Sequence, residues 1–143
     1  QRDMNMLTIL VVDGMGGGMG KSIIECVHNL DIKCEIIAAG TNSAATSAML
    51  KAGAKTCATG ESAIVFNAKR ADVAIGPLGI VFANSMHGEI SVKIAKAISK
   101  SKAHKLLIPV SKCNATILGV EEKPLSEHFL ELEKALEKIV WET

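Results

Sequence analysis

Three stretches of this sequence hold the residues that could do chemistry. The first is DGMGGGMGKS, Asp13 to Ser22, in which Gly14, Gly16, Gly17, Gly18 and Gly20 put five glycines within seven residues. Glycine reaches positive φ and lets a ligand approach the backbone closely. The helix that should begin near Gly20 offers unpaired N–H groups and the positive end of its dipole, which favour a phosphate. Lys21 adds a cation and Ser22 a hydroxyl. Asp13 is awkward there, because its carboxylate repels an anion. It could pin the turn through backbone N–H groups, hold a metal, or act on a substrate.

The second stretch is Thr41-Asn42-Ser43, which closes another hydrophobic run. Small hydroxyl and amide side chains at a helix start suit a ribose or its phosphate, or simply cap the helix. The third is Asn84-Ser85-Met86-His87-Gly88-Glu89. His87 and Glu89 are candidate acid–base groups, and Asn84 and Ser85 could hold the polar head of a ligand. The plainer alternative makes Asn84 or Ser85 the cap of the next helix. Thr59-Gly60-Glu61 reads as a further helix start, with capping as its role.

Phosphate-loop templates discriminate among ligands. A Walker loop needs glycine where Met15 stands, and the signature lysine of deviant Walker ATPases would fall at Gly16. The fourth and fifth expected strands run into Gly76-Pro77 and Ser111-Lys112, with no acid to hold magnesium. The common dinucleotide pattern fails at Met19, but GxxxGxG fits as Gly14, Gly18 and Gly20. That loop resembles the cofactor loop of short-chain dehydrogenases over about the first quarter of the chain. Those enzymes use a catalytic tyrosine, and this sequence contains none. No Asp or Glu occurs at residues 40–43 to bind ribose hydroxyls, so the expected ligand is NADP-type or another phosphorylated nucleotide.

The elements that must position these residues alternate. Apolar runs at LTILVVD, CEIIAAG, AKTCA, ADVAIG, KLLIPV and ATILGV predict five to six strands. Between them, helical spacing is expected over about 20–30, from a cap among Thr41, Asn42 and Ser43 to about Lys51, from Thr59-Gly60-Glu61 through about Lys69, and over about 89–100. From Leu125 to Trp141, Phe129, Leu132, Leu136, Ile139 and Val140 form one apolar stripe, expected to be core. This order predicts a single doubly wound, Rossmann-like α/β domain of three layers with a mostly parallel sheet. It spans residues 1–143, with QRDMNM set aside as in part a cloning remnant.

Composition narrows the partners. Sixteen basic residues against 15 acidic give a net charge of +1, and aromatics make up 3% of the chain, so nucleic acid is not an expected partner. Cys26, Cys34, Cys57 and Cys113 form no CxxC pair, which reads as reduced thiols in a cytoplasmic protein with no metal site. The longest nearly apolar run, about residues 73–83, is too short to span a bilayer. His28, His104 and His128 are expected at the surface. At 143 residues there is little room for a separate substrate domain, so an enzyme would complete its site in a homo-oligomer.

VVDGMGGGMGKSIIE, GTNSAATSAMLKAGA with ATGESAIVFN, and IGPLGIVFANSMHGEI together resemble a bacterial family of small Rossmann-like proteins known only as a domain of unknown function. The resemblance runs nearly end to end and implies the fold and the loop, but no activity. The leading expectation is a protein that binds a small phosphorylated ligand. The alternatives are a deviant P-loop ATP-binding protein, a non-catalytic regulatory subunit, and a transferase or isomerase using Asp13, His87 or Glu89.

Overall fold

Leu7–Asp13 forms strand β1, buried along its whole length as expected for a continuous β-branched run covered on both faces. The computed structural model describes residues 6–110 and 114–142, so Cys113 and Ser111-Lys112 lie outside the described residues. After β1 come α1 (Gly18–His28), β2 (Cys34–Gly40), α2 (Ser43–Lys51), β3 (Thr56–Thr59), α3 (Glu61–Ala68) and β4 (Val73–Pro77). A short 3-10 turn over Leu78–Val81 leads to α4 (Val92–Lys100), β5 (His104–Ile108) and α5 (Leu125–Glu142).

The five strands form one open, all-parallel sheet in the order β3-β2-β1-β4-β5. This is the Rossmann-like three-layer arrangement, with the strand order reversing between β1 and β4. Alternation along β1 divides the core. Leu7, Ile9 and Val11 pack with Ile23, Ile24 and Val27 of α1, Met49 of α2 and Leu132 and Leu136 of α5. Leu10 and Val12 point the other way, into a layer built from Ile64 of α3, Ile80, Met86, Ile90, and Ile94 and Ile98 of α4.

Glycines set how closely the layers approach at the carboxyl edge. A Cβ on Gly40 would lie 2.6 Å from the Thr46 backbone nitrogen, and one on Gly76 would lie 2.5 Å from the Val12 carbonyl oxygen. Neither neighbour is a flexible side-chain end, so these two positions exclude side chains.

Four expectations need correction. Residues 115–120 do not form a sixth strand; Gly119 is left-handed at φ 84°, Leu118 is 90% exposed, and β5 pairs only with β4 among the described residues. The fourth helix starts at Val92, not near 89, because Ser91 supplies the cap by accepting the Ile94 N–H at 3.2 Å. Asn84 and Ser85 are therefore not its caps. His128 is buried rather than at the surface, with Nδ1 3.4 Å from Glu131 on the next turn of α5. His28 and His104 are exposed as expected. No helix of the described residues is long and apolar enough to cross a membrane.

The α5 stripe closes the layer above β1 and α1, as the periodicity predicts. Leu136→Ala should cost about 2–5 kcal/mol through lost burial and a residual cavity. Leu130→Ala, on the exposed side of the same helix, should stay within about 0.5 kcal/mol of the parent protein. Urea unfolding of both variants checks that α5 belongs to the cooperative core.

Candidate functional site

The candidate site is the carboxyl edge of β1 and β4, where sheets of this kind place ligands. Asp13 ends β1 on the α1 side, continuing the alternation of Ile9 and Val11. One carboxylate oxygen accepts the Gly14 N–H at 2.8 Å and the other accepts the Gly20 N–H at 2.6 Å. The helix needs this. Its N-cap is Gly17, left-handed at φ 75°, and contributes no side-chain cap. Asp13 caps the first turn from the neighbouring strand instead, the pinning role foreseen among its alternatives. Burial pushes the Asp13 carboxyl above its ordinary 3.8, opposed by the N–H groups of Gly20 and Gly14, with the Glu89 charge adding to the rise.

The glycines of the loop do different jobs. A Cβ on Gly14 would meet Thr41 Oγ1 at 2.8 Å, Met86 Sδ at 2.9 Å and Glu89 Oε1 at 3.0 Å. One on Gly17 would lie 2.7 Å from the Ala45 Cα and 2.8 Å from its carbonyl oxygen, and one on Gly20 2.9 Å from the Asp13 Cβ. Packing requires glycine at Gly17 and Gly20, whereas a Cβ on Gly14 would press only on side-chain ends of the Thr41, Met86 and Glu89 cluster. Gly16 and Gly18 are exposed, and a Cβ on either would meet nothing within 4 Å. Neither N–H has a hydrogen-bond partner among the described residues. Lys21 is exposed one turn further on and Ser22 is half-buried.

The turn after β4 reaches this loop, as the strand order requires. Glu89 Oε1 accepts from Thr41 Oγ1 at 2.5 Å, Asn42 Nδ2 at 2.8 Å and the Met15 N–H at 2.9 Å. Those hydrogen bonds, Thr41 foremost and then Met15, hold the Glu89 carboxyl below its ordinary 4.5 against the penalty of burial. Asn42 also donates to the Met15 carbonyl oxygen at 3.0 Å, and its Oδ1 caps α2 by accepting the Ala45 N–H at 2.9 Å. Of Thr41, Asn42 and Ser43, Asn42 is thus the cap, Thr41 serves Glu89, and Ser43 is exposed on the first turn of α2.

The remaining candidates separate. Asn84 and His87 are exposed, and His87 lies close enough to Glu89 for its charge to favour the carboxylate. Ser85 is buried, with its hydroxyl donating to the Gly79 carbonyl oxygen, so it holds the turn together from inside. Thr59 and Glu61 do not cap α3. Thr59, the last residue of β3, donates to Thr46 Oγ1 of α2 at 2.7 Å, and Glu61 accepts from the Ser91 hydroxyl, tying the start of α3 to that of α4.

Residues without a sequence signal complete the crevice. Met86 covers Gly14, and Met15 supplies both an N–H and a carbonyl oxygen to the Glu89–Asn42 cluster. Of the five non-glycine residues with left-handed backbone among the described residues, four lie here: Met15 at φ 51°, Asn84 at 69°, Met86 at 55° and His87 at 56°. Each such residue costs on the order of 1–3 kcal/mol and persists only where its surroundings over-determine it. No sequence rule places a methionine in that region, so only coordinates reveal it.

Two outcomes test this geometry. Asp13→Asn leaves either the Gly14 or the Gly20 N–H facing an amide NH2 group, and should cost about 1–3 kcal/mol in urea unfolding. Thr41→Val removes the largest cause of the Glu89 shift, so that carboxyl should titrate closer to 4.5 by NMR. Because Glu89 is held low, its contribution is present above the ordinary value and lost as pH falls through the lowered one. A smaller loss on acidification in Thr41→Val is therefore expected.

The comparisons add a family and no activity. A search of curated proteins found no significant match. The family model described as Domain of unknown function (DUF3842) matches residues 8–141. That stretch includes all but the first residue of β1, the glycine loop, the turn after β4 and nearly all of α5, and the chain belongs to this family.

Proposed function

We propose that this protein binds a phosphorylated nucleotide in the β1–β4 crevice, with phosphate against the N–H groups of Gly16 and Gly18. The division of labour among the glycines carries this reading. In a dinucleotide loop the first glycine makes the turn, the second lets the backbone approach the phosphates, and the third packs helix against strand. Gly14 and Gly20 fill the first and third roles against Thr41, Met86, Met49 and Asp13. Gly18, in the second role, has no neighbour that requires it to be glycine. A ligand close to the backbone supplies that requirement.

The electrostatics decide how a phosphate is held. Asp13 and Glu89 set two carboxylates beside the loop, so no broad positive field draws the anion in. Attraction rests on short-range donors, namely the N–H groups at the start of α1 and the ammonium of Lys21. Asp13 has both oxygens engaged by the backbone, and in this reading it positions the loop rather than moving protons. His87, exposed beside Glu89, is the side chain free to serve a substrate proton.

A thermal-shift series across nucleotides tests the reading. A nucleotide at ~100 times its dissociation constant should stabilise the protein by about 2.7 kcal/mol. Gly18→Val should fold with near-parental stability, since its side chain enters open space, yet lose that shift. A full shift retained in Gly18→Val would place the ligand elsewhere.

A further inference from the structure

We propose that Glu89 sets the ligand class of this crevice: a nucleotide whose ribose keeps both vicinal hydroxyls free, to the exclusion of a 2′-phosphorylated ribose. The inference rests on the nucleotide reading above and departs from the NADP-type ligand expected from residues 40–43. A dinucleotide fold usually supplies the ribose-binding acid from the end of its second strand. Here β2 ends at Gly40 and is followed by Thr41-Asn42-Ser43, with no acid. The tertiary structure delivers one from the far side of the strand-order reversal, because Glu89 is bound by Thr41 and Asn42 themselves.

The way it is bound matters as much as the place. Three donors, Thr41 Oγ1, Asn42 Nδ2 and the Met15 N–H, converge on the single oxygen Oε1. Oε2 has no hydrogen-bond partner among the described residues. One oxygen therefore fixes the carboxylate while the other is left to accept. An ionised carboxylate only accepts, so it pairs with hydroxyl donors. A vicinal diol offers two. A 2′-phosphate instead offers oxygens carrying about two negative charges, beside a carboxylate that the same three donors keep ionised. Gly14 lets the latched side of this carboxylate lie against the loop, since a Cβ there would stand 3.0 Å from Glu89 Oε1.

A purely structural latch is the competing role for Glu89, and one substitution separates the two. Glu89→Gln keeps a carbonyl oxygen able to accept from Thr41, Asn42 and Met15, so the latch survives while the charge is lost. The probes are NAD and NADP, which differ only in the 2′-phosphate, titrated calorimetrically against the full chain. The parent protein should bind NAD at least tenfold more tightly than NADP. Glu89→Gln should bring the two within about threefold while remaining folded without ligand, its melting temperature lowered by no more than the parent protein loses when Glu89 is protonated. Equal affinities in the parent protein, or a preference that persists in Glu89→Gln, would overturn the assignment of Glu89 and leave the nucleotide site standing. Failure of both dinucleotides to bind the parent protein at millimolar concentration would overturn the nucleotide reading and this inference with it.

Discussion

The carboxylate of Asp13, holding the N–H groups of Gly14 and Gly20, is the interaction on which the crevice depends. Asp13 is the last residue of β1, and the strand's alternation sends its side chain to the α1 face. There it takes the place of the N-cap that Gly17 cannot provide. The starting point of α1 is thereby tied to the central strand. Gly17 and Gly20 then admit the backbone of Ala45 and the side chain of Met49 at distances no Cβ would allow. A buried carboxylate is costly without partners, and two short N–H bonds are what make this one tolerable.

The second constraint is the turn between β4 and α4. It carries three strained non-glycine residues, Asn84, Met86 and His87. Met86 and Ile90 are buried in the layer of α3 and α4, each contributing about 1.5–3 kcal/mol. That is of the same order as the strain. The balance is tipped by local bonds: Ser85 to Gly79, the Asn84 N–H to the Ile90 carbonyl oxygen, and Glu89 to the loop and to α2. The same turn joins Gly14, Thr41 and Met15, so the loops after β1, β2 and β4 form one unit.

Much of the fold is legible in the amino-acid order. β1 and β2 coincide with LTILVVD and CEIIAAG because apolar runs of that length have few other ways to be buried. The α5 stripe reads correctly because Leu132 and Leu136 recur at helical spacing. The failures have local causes. ATILGV alternates weakly, and its glycine takes a left-handed conformation that breaks extension. Glu89 continues the turn because Ser91, two residues on, is the better-placed cap. His128 is buried beside Glu131 on α5, a placement its residue type does not announce.

The candidate site divides the same way. Residue type and spacing alone determine the glycine loop, its place between a strand and a helix, and Asp13 at its start, since backbone freedom and chain direction are local properties. They also determine a parallel sheet with its loops at one edge. Which glycines are packed and which are open depends on Thr41, Ala45, Met49 and Met86, all distant in sequence, and so is decided by tertiary structure alone. Glu89 is the clearest instance. At residues 40–43 the chain lacks an acid, and the reversal of strand order brings one there from 48 residues beyond Thr41. Side-chain chemistry is written along the chain, but the field at a site is summed over groups that only folding makes neighbours.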